Sequence, residues 1–394
     1  MLVRVTLPFQ HRHPAIFIGW PPRDRSMEEP LDYARSGVDI DREGSAVAAL
    51  IGGLSAVRAP GQVGASVDLP GGFGGLIEFG EHLLALATDG VGSKLQIASS
   101  LERWEGVGID CMAMNVNDLL CVGAEPIAFV DYIAVPQPDP AVHRALGASL
   151  AEAARRARVT IAGGETATLP GIVRELDLSG TALGWLPRGK AITGASLEPG
   201  DVLIGLPSSG LHSNGYSLVR LLLERSGADL DAPPPFEVRT MRRIESHGPT
   251  VTLGDVLLNP TRIYVDPVVD LIDACRSGSG PAPDGTLRAI AHITGGGLSN
   301  LLRLHDHLGW RIDDPMPVHA EFDWLQGLGS VTDWEMHRTF NMGMGMCLAV
   351  EAVHATAILD WLQDRGTGAQ RVGSVTEGER VVQHILEAVR YESY

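Results

Sequence analysis

The sequence predicts an α/β protein of two similar-sized domains, each a sheet with helices packed on it. Three observations lead there. The chain has 394 residues, enough for two ordinary domains. Short apolar runs alternate with stretches of helical period along most of its length. A Pro- and Gly-rich stretch, 187–200, interrupts that pattern near the middle. The domains are placed at 27–190 and 198–394. Residues 1–26 are broken by prolines, show no clear period, and read as a disordered extension. A start at Met27 fits the same pattern.

The elements follow in order. Ala46, Val47, Leu50, Ile51 and Leu54 recur at helical spacing, with Asp41 placed to cap them. A glycine-rich tract from Gly61 to Gly75 reads as a loop. His82 to Thr88 is a strand, 107–122 a helix and Ile127 to Val135 a strand. Residues 139–157 form an amphipathic helix with Val142, Leu146, Leu150, Ala153 and Ala154 on one stripe. Val159 to Ala162 and Asp177 to Leu186 are strands. Beyond the break come a strand at 201–206, a helix at 216–225 and an irregular, Pro-rich stretch at 226–256. A helix follows at 262–275, then a strand at 289–293, a helix at 298–305, a strand at 340–350, a helix at 354–365 and a last strand at 370–375.

Charge narrows the function. The 31 basic and 48 acidic residues give 31 − 48 = −17, which argues against a general nucleic-acid or anionic-membrane binder. An anionic ligand must therefore be held by local groups. Only Lys94 and Lys190 are lysines, so the one inside a motif, Lys94, draws notice. Cys111, Cys121, Cys275 and Cys347 form no CxxC pair, which fits free thiols in a reducing cytosol. No apolar stretch reaches the roughly 20 residues that span a bilayer.

Several motifs carry chemistry. In Thr88-Asp89-Gly90-Val91-Gly92-Ser93-Lys94 an acid ends a strand, glycines open the backbone to an anion, and a lysine supplies a point charge for phosphate. The Walker A spacing is absent. Cys111, Asn115 and Asp118 share one helix face, where a carboxylate and an amide among apolar residues suit Mg²⁺. Glu165, in Gly163-Gly164-Glu165-Thr166, sits just past a strand. His212, in Leu211-His212-Ser213-Asn214-Gly215, titrates near neutrality. Thr294-Gly295-Gly296-Gly297 precedes a helix and reads as an anion site. The methionines of 342–346 read as core packing. Together these motifs point to a nucleotide and a second, phosphorylated substrate.

In order along 31–376, the chain resembles the AIR synthetase family, the phosphoribosylformylglycinamidine cyclo-ligases of purine biosynthesis. The blocks are Tyr33 to Asp41, Thr88 to Lys94, Asn117-Asp118 through Gly123-Ala124-Glu125-Pro126, and Gly163 to Ala167. Ser208 to Tyr216, Asn259 to Arg262, Ala291 to Gly297 and Arg338 to Asn341 complete them. The resemblance implies a two-domain AIR synthetase-like fold. Its N-terminal domain binds ATP and pairs its sheet with a partner's in a homodimer. It also implies Mg²⁺ and ATP-driven ring closure of a phosphorylated ribotide. Asp89 and Asp118 are then the leading metal ligands, with Asn115 and Glu165 behind them. Lys94, Gly90, Gly92 and the loop of Gly71, Gly72, Gly74 and Gly75 meet the ATP phosphates. His212 and Asn214 address the reacting substrate. Thr294, Gly295, Gly296 and Gly297 hold the ribose phosphate. Thr168 stands where the family usually carries an acid, and Val67 to Pro70 lengthen the approach to Gly71. Related readings are another ATP-using enzyme of the superfamily, or a non-catalytic nucleotide-binding paralogue. No cysteine precedes Cys111, which disfavours a selenophosphate synthetase. The acids and Lys94 disfavour the paralogue.

Overall fold

The computed structural model describes residues 31, 36–37, 40–54, 57–67, 69, 74–238, 244 and 246–394. The extension at 1–26, the Asp41 cap and the glycines Gly71 and Gly72 lie outside the described residues or side chains. The first helix, α1 (Ile40–Gly52), leads into β1 (Ser66–Val67), β2 (Gly75–Phe79) and β3 (His82–Gly90). Then come α2 (Lys94–Leu101), α3 (Val107–Cys121), β4 (Glu125–Val135), α4 (Pro140–Ala157), β5 (Thr160–Thr168) and β6 (Asp177–Pro187). Pro140 starts α4 behind an Asp139 whose carboxylate accepts from the Ala141 and Val142 N–H groups.

The first sheet runs β1-β2-β3-β6-β4-β5. Only β4 and β5 pair in parallel, with α4 as the crossover between them. The predicted strand at 159–162 is in fact nine residues long and absorbs the Gly163-Gly164-Glu165 turn. β5 is exposed over nearly its whole length. Helix α3 packs on β3, β4 and β6, with α4 beside it. Among the described residues no element packs on the opposite sheet face, and Leu86, Val130 and Tyr132 there are about two-fifths exposed.

The second half contributes β7 (Val202–Pro207), α5 (Tyr216–Ser226), α6 (Leu253–Leu257), α7 (Val265–Ser277), β8 (Leu287–His292) and β9 (Gly309–Ile312). These are followed by α8 (Ala320–Gly329), α9 (Asp333–Thr339), β10 (Met344–Val350), α10 (Ala355–Gln363), β11 (Gln370–Thr376), β12 (Val382–His384) and β13 (Arg390–Tyr391). Its sheet runs β13-β12-β9-β11-β7-β10-β8, antiparallel except for β12 beside β9. The helix expected at 298–305 is a 3-10 segment, Gly297–Arg303. Helices α2, α6, α8 and α9, and strands β9, β12 and β13, were not expected from periodicity. All are short.

Residues Leu31–Tyr394 form one compact unit, and α3 is at its centre. All its residues but Asp118 are buried, because the first sheet covers one side while β8 and α7 cover another.

Candidate active site

The site begins where β3 meets α3. The Asn115 amide oxygen accepts from the Asp89 N–H at 2.9 Å. Its amide nitrogen donates to the Asp89 carbonyl at 3.1 Å and the Cys111 carbonyl at 2.8 Å. Asn115 is therefore spent on pinning the strand end to the helix. Its oxygen holds the Asp89 N–H with one lone pair, which makes it first a brace for the strand end that carries Asp89. The fixed strand end aims the Asp89 carboxylate at the next turn of α3, where Asp118 stands. Burial, and then the Asp118 charge, push the Asp89 carboxyl up to about 6. Two acids thus share one partly dry corner.

Asp118 is held from the other half of the chain. The His292 ring, fully buried at the end of β8, donates from Nδ1 to the Asp118 carboxylate at 2.8 Å. The Asn117 amide lies 3.4 Å from the other ring nitrogen and can donate to it, which leaves the proton on Nδ1. Sequence reasoning assigned His292 no role. The signal was present, an imidazole three residues before three glycines, but only the fold brings β8 against α3.

Lys94 is the main departure. It is 0% exposed, and its ammonium donates to Asp110 at 2.9 Å, to the His212 carbonyl at 3.0 Å and to the Asn259 carbonyl at 2.9 Å. All three donors are used. Thr261 adds its N–H and hydroxyl to Asp110, at 2.7 and 2.6 Å. Burial pushes the Lys94 ammonium down and the Asp110 carboxyl up, and each partner's charge opposes the other's shift. Lys94 thus does not present its charge to an open phosphate site as its motif led one to expect. It ties the β3–α2 turn to the loop that carries His212.

That loop, between β7 and α5, lies against the same turn. The Ser213 hydroxyl donates to the Val91 carbonyl at 3.3 Å, and the Ser93 and Ser217 hydroxyls are 3.2 Å apart. His212 is buried with φ at +63°, a conformation that a non-glycine residue adopts only when its surroundings compel it. Its Nε2 accepts from the Ser209 N–H at 3.1 Å, so the proton sits on Nδ1, which has no partner among the described residues. Burial, and then neighbouring cations, hold the ring neutral, well below the usual histidine range. Asn214 reaches Met114 on α3, and its amide oxygen lies beside Gly295.

The three glycines close this corner. The Asn300 amide donates to the carbonyls of Gly295 and Gly297, at 3.2 and 2.9 Å, and the Ser299 hydroxyl to that of Gly296 at 2.7 Å. Gly297 has φ +53°, and a Cβ there would strike the His337 carbonyl, so no other residue fits. Thr294 leads the turn, accepting from the Gly297 N–H at 2.9 Å.

The remaining expected residues divide. Gly90 ends β3, and Gly92 turns the chain at φ +68°. Gly74 and Gly75 open β2 opposite Leu86, at the Asp89 end of the sheet. Glu165 does not join the cluster. Asp89, Gly180, Asp131 and Gly164 lie in one row across the sheet, and Glu165 lies in the next, so it projects from the opposite face. Among the described residues, no group of three or more His, Cys, Asp or Glu side chains is set to hold a metal.

Two domain descriptions match the chain. Residues 72–186 fit "AIR synthase related protein, N-terminal domain", and 198–385 fit "AIR synthase related protein, C-terminal domain". The phosphoribosylformylglycinamidine cyclo-ligase of Methanosarcina acetivorans is 44% identical over 361 residues, 91% of this chain and 99% of that relative. The chain belongs to the AIR synthase family. The enzyme of that name from Methanocaldococcus jannaschii, 38% identical, is matched over 89% of this chain and 94% of its own. Solved structures with the same fold include the thiamine-monophosphate kinase of Stenotrophomonas maltophilia, at TM-score 0.54 and 18% identity. It covers 89% of this chain and 96% of its own. The hydrogenase maturation protein HypE in complex with ATP has TM-score 0.54 and 17% identity, over 78% and 83%. Within this AIR synthase fold, the acidic corner, the His212 loop and the glycine turn lie on the seam between the two halves.

Proposed function

We propose that this chain closes the imidazole ring of formylglycinamidine ribotide with ATP, yielding aminoimidazole ribotide, ADP and phosphate. The observation that carries this reading is near full-length similarity to relatives of that name. The chemistry has a clear obstacle. An amide oxygen leaves poorly, and transfer of the ATP γ-phosphoryl group to it makes a good leaving group. The substrate's own amidine nitrogen then attacks and phosphate departs.

The residues suit this task. Asp89 and Asp118 are two carboxylates whose repulsion a divalent cation would relieve, so the pair fits Mg²⁺. Such a cation supplies charge neutralisation at the phosphates. Asn115 and His292 fix the two acids from either side. Gly90, Gly92 and the loop through Gly71, Gly72, Gly74 and Gly75 offer backbone N–H groups to ATP. Thr294, Gly295, Gly296 and Gly297 receive the ribose phosphate. His212 and Asn214 address the reacting substrate from the loop between β7 and α5, His212 from a buried position. Lys94 acts through the His212 loop as a positioning residue.

The working form is a homodimer. The bare sheet face and the exposed edge strand β5 are surfaces a partner's sheet would cover, and Glu165 belongs to that face. The four unpaired, buried cysteines accord with a cytosolic setting. No helix among the described residues is long and apolar enough to cross a membrane. Purified protein incubated with formylglycinamidine ribotide, ATP and Mg²⁺ should form aminoimidazole ribotide and ADP in equal amounts. ATP hydrolysis without aminoimidazole ribotide would overturn the reading.

A further inference from the structure

A cavity of about 250 Å³ opens in the C-terminal half between α8, α9 and the end of β12. Two imidazoles line it, His337 on α9 and His384 on β12, with ring centroids 4.7 Å apart. Their tautomers follow from their partners. His337 Nδ1 lies 2.8 Å from the Asp333 carbonyl, which can only accept, so Nδ1 carries the proton and Nε2 is a bare acceptor. His384 Nδ1 accepts from the Leu386 N–H at 3.1 Å, so its proton is on Nε2, a donor. Burial keeps both rings neutral, His384 down to about 4. Neither Nε2 has a hydrogen-bond partner among the described residues. One acceptor and one donor thus stand side by side in one cavity.

The rest of the lining restricts what can enter. Met342 and Met344 supply polarizable thioethers suited to the face of a flat ring. Asp323 and Asp333 line the cavity and, among the described residues, no lysine or arginine does, which disfavours a phosphorylated ligand. Met342 is held at φ +44°, a local strain of the sort found at functional sites.

We propose that this cavity binds a flat, uncharged heterocycle through a lactam edge, its N–H donating to His337 Nε2 and its carbonyl accepting from His384 Nε2–H. The wall beside it is shared with the reaction site. The Asn341 amide donates to the Gly210 carbonyl at 2.8 Å, and the Ser208 N–H to the Gly343 carbonyl at 2.8 Å. Ser208 and Gly210 lead directly into His212. Occupancy of the cavity therefore bears on the His212 loop, although binding itself does not depend on which reaction that loop serves.

The test uses the full chain, saturated with a non-hydrolysable ATP analogue so that adenine sites are filled. Hypoxanthine, which carries a lactam edge, is titrated by calorimetry and by saturation-transfer NMR, beside 1-methylhypoxanthine, whose ring N–H is blocked. Hypoxanthine is expected to bind at least ten times tighter than the methylated probe, and to lose as much on His384→Phe, with ATP-analogue affinity unchanged. No hypoxanthine binding at millimolar concentration, equal binding of the two probes, or displacement by the ATP analogue would overturn the proposal. The two-probe comparison needs only the unmodified chain, so the test survives a variant that fails to fold.

Discussion

Replacing Lys94 with methionine separates a phosphate-binding lysine from a structural one. The substitution keeps most of the apolar stem and removes the charge. Asp110 would be left buried and ionised with only Thr261 to stabilise it, and the carbonyls of His212 and Asn259 would lose their donor. Both members of the ion pair have 0% side-chain exposure, so solvent does not screen the loss. Breaking a buried pair from one side costs about 3–5 kcal/mol, far above the range of 0–1 kcal/mol for exposed pairs. Lys94→Met should therefore lower unfolding free energy in urea by that amount. Adding Asp110→Asn removes the stranded charge, so the double variant should recover about 1–3 kcal/mol relative to the sum of the singles. The assay is equilibrium denaturation of all four proteins, with ATP affinity measured on the folded fraction. A Lys94→Met protein of ordinary stability that has lost ATP binding would refute this reasoning and restore the phosphate role.

Other outcomes follow from the same geometry. Gly345→Ala would set a Cβ on the Tyr264 hydroxyl and 2.6 Å from His212 Cε1, so turnover should fall, with a stability loss of about 1–3 kcal/mol seen in thermal melts. Asp118→Asn removes one acid of the pair and the partner of His292. The Mg²⁺ concentration for half-maximal turnover should rise roughly 10–100-fold, and an unchanged requirement would exclude the acidic corner as the metal site. Stability should also fall as pH drops. His384 is pushed from 6.5 to about 4, so between those values the unfolded chain binds the extra proton and folding stability is lost on acidification. His337 and His212 act in the same direction. Comparing urea unfolding at pH 7 and 5, His384→Phe should show a shallower loss than the parent.

The sequence carried most of the scaffold because long elements advertise their environment. Helix α4 has one apolar stripe and an Asp-Pro start, so both its period and its first turn were legible. Helix α3 was legible as a helix, but nothing in its pattern said which half of the chain would cover each side. The roles of Asn115 and Lys94 depend on that. Both residue types suit a ligand site, and both are instead engaged by internal partners up to 165 positions away. Glu165 was misread for a simpler reason. Two glycines looked like a turn, while β4 on one side holds them in a strand, and a one-residue step in that strand reverses the face. The short elements α8, α9 and β12 had too few residues to show a period. The His337 and His384 cavity was therefore invisible before the fold was known.

The polar seam also bears on how the protein comes apart. Lys94 to Asn259, Thr261 to Asp110, His292 to Asp118 and Ser213 to Val91 all cross between the halves. Expressed alone, the N-terminal half would expose an ion pair built for a dry interior. The C-terminal half would carry a strained histidine with nothing to hold it. Neither half is a self-sufficient folding unit despite having its own sheet. Unfolding should then be one concerted transition, and a break in the 188–201 connection should leave the two pieces associated rather than release two independent domains.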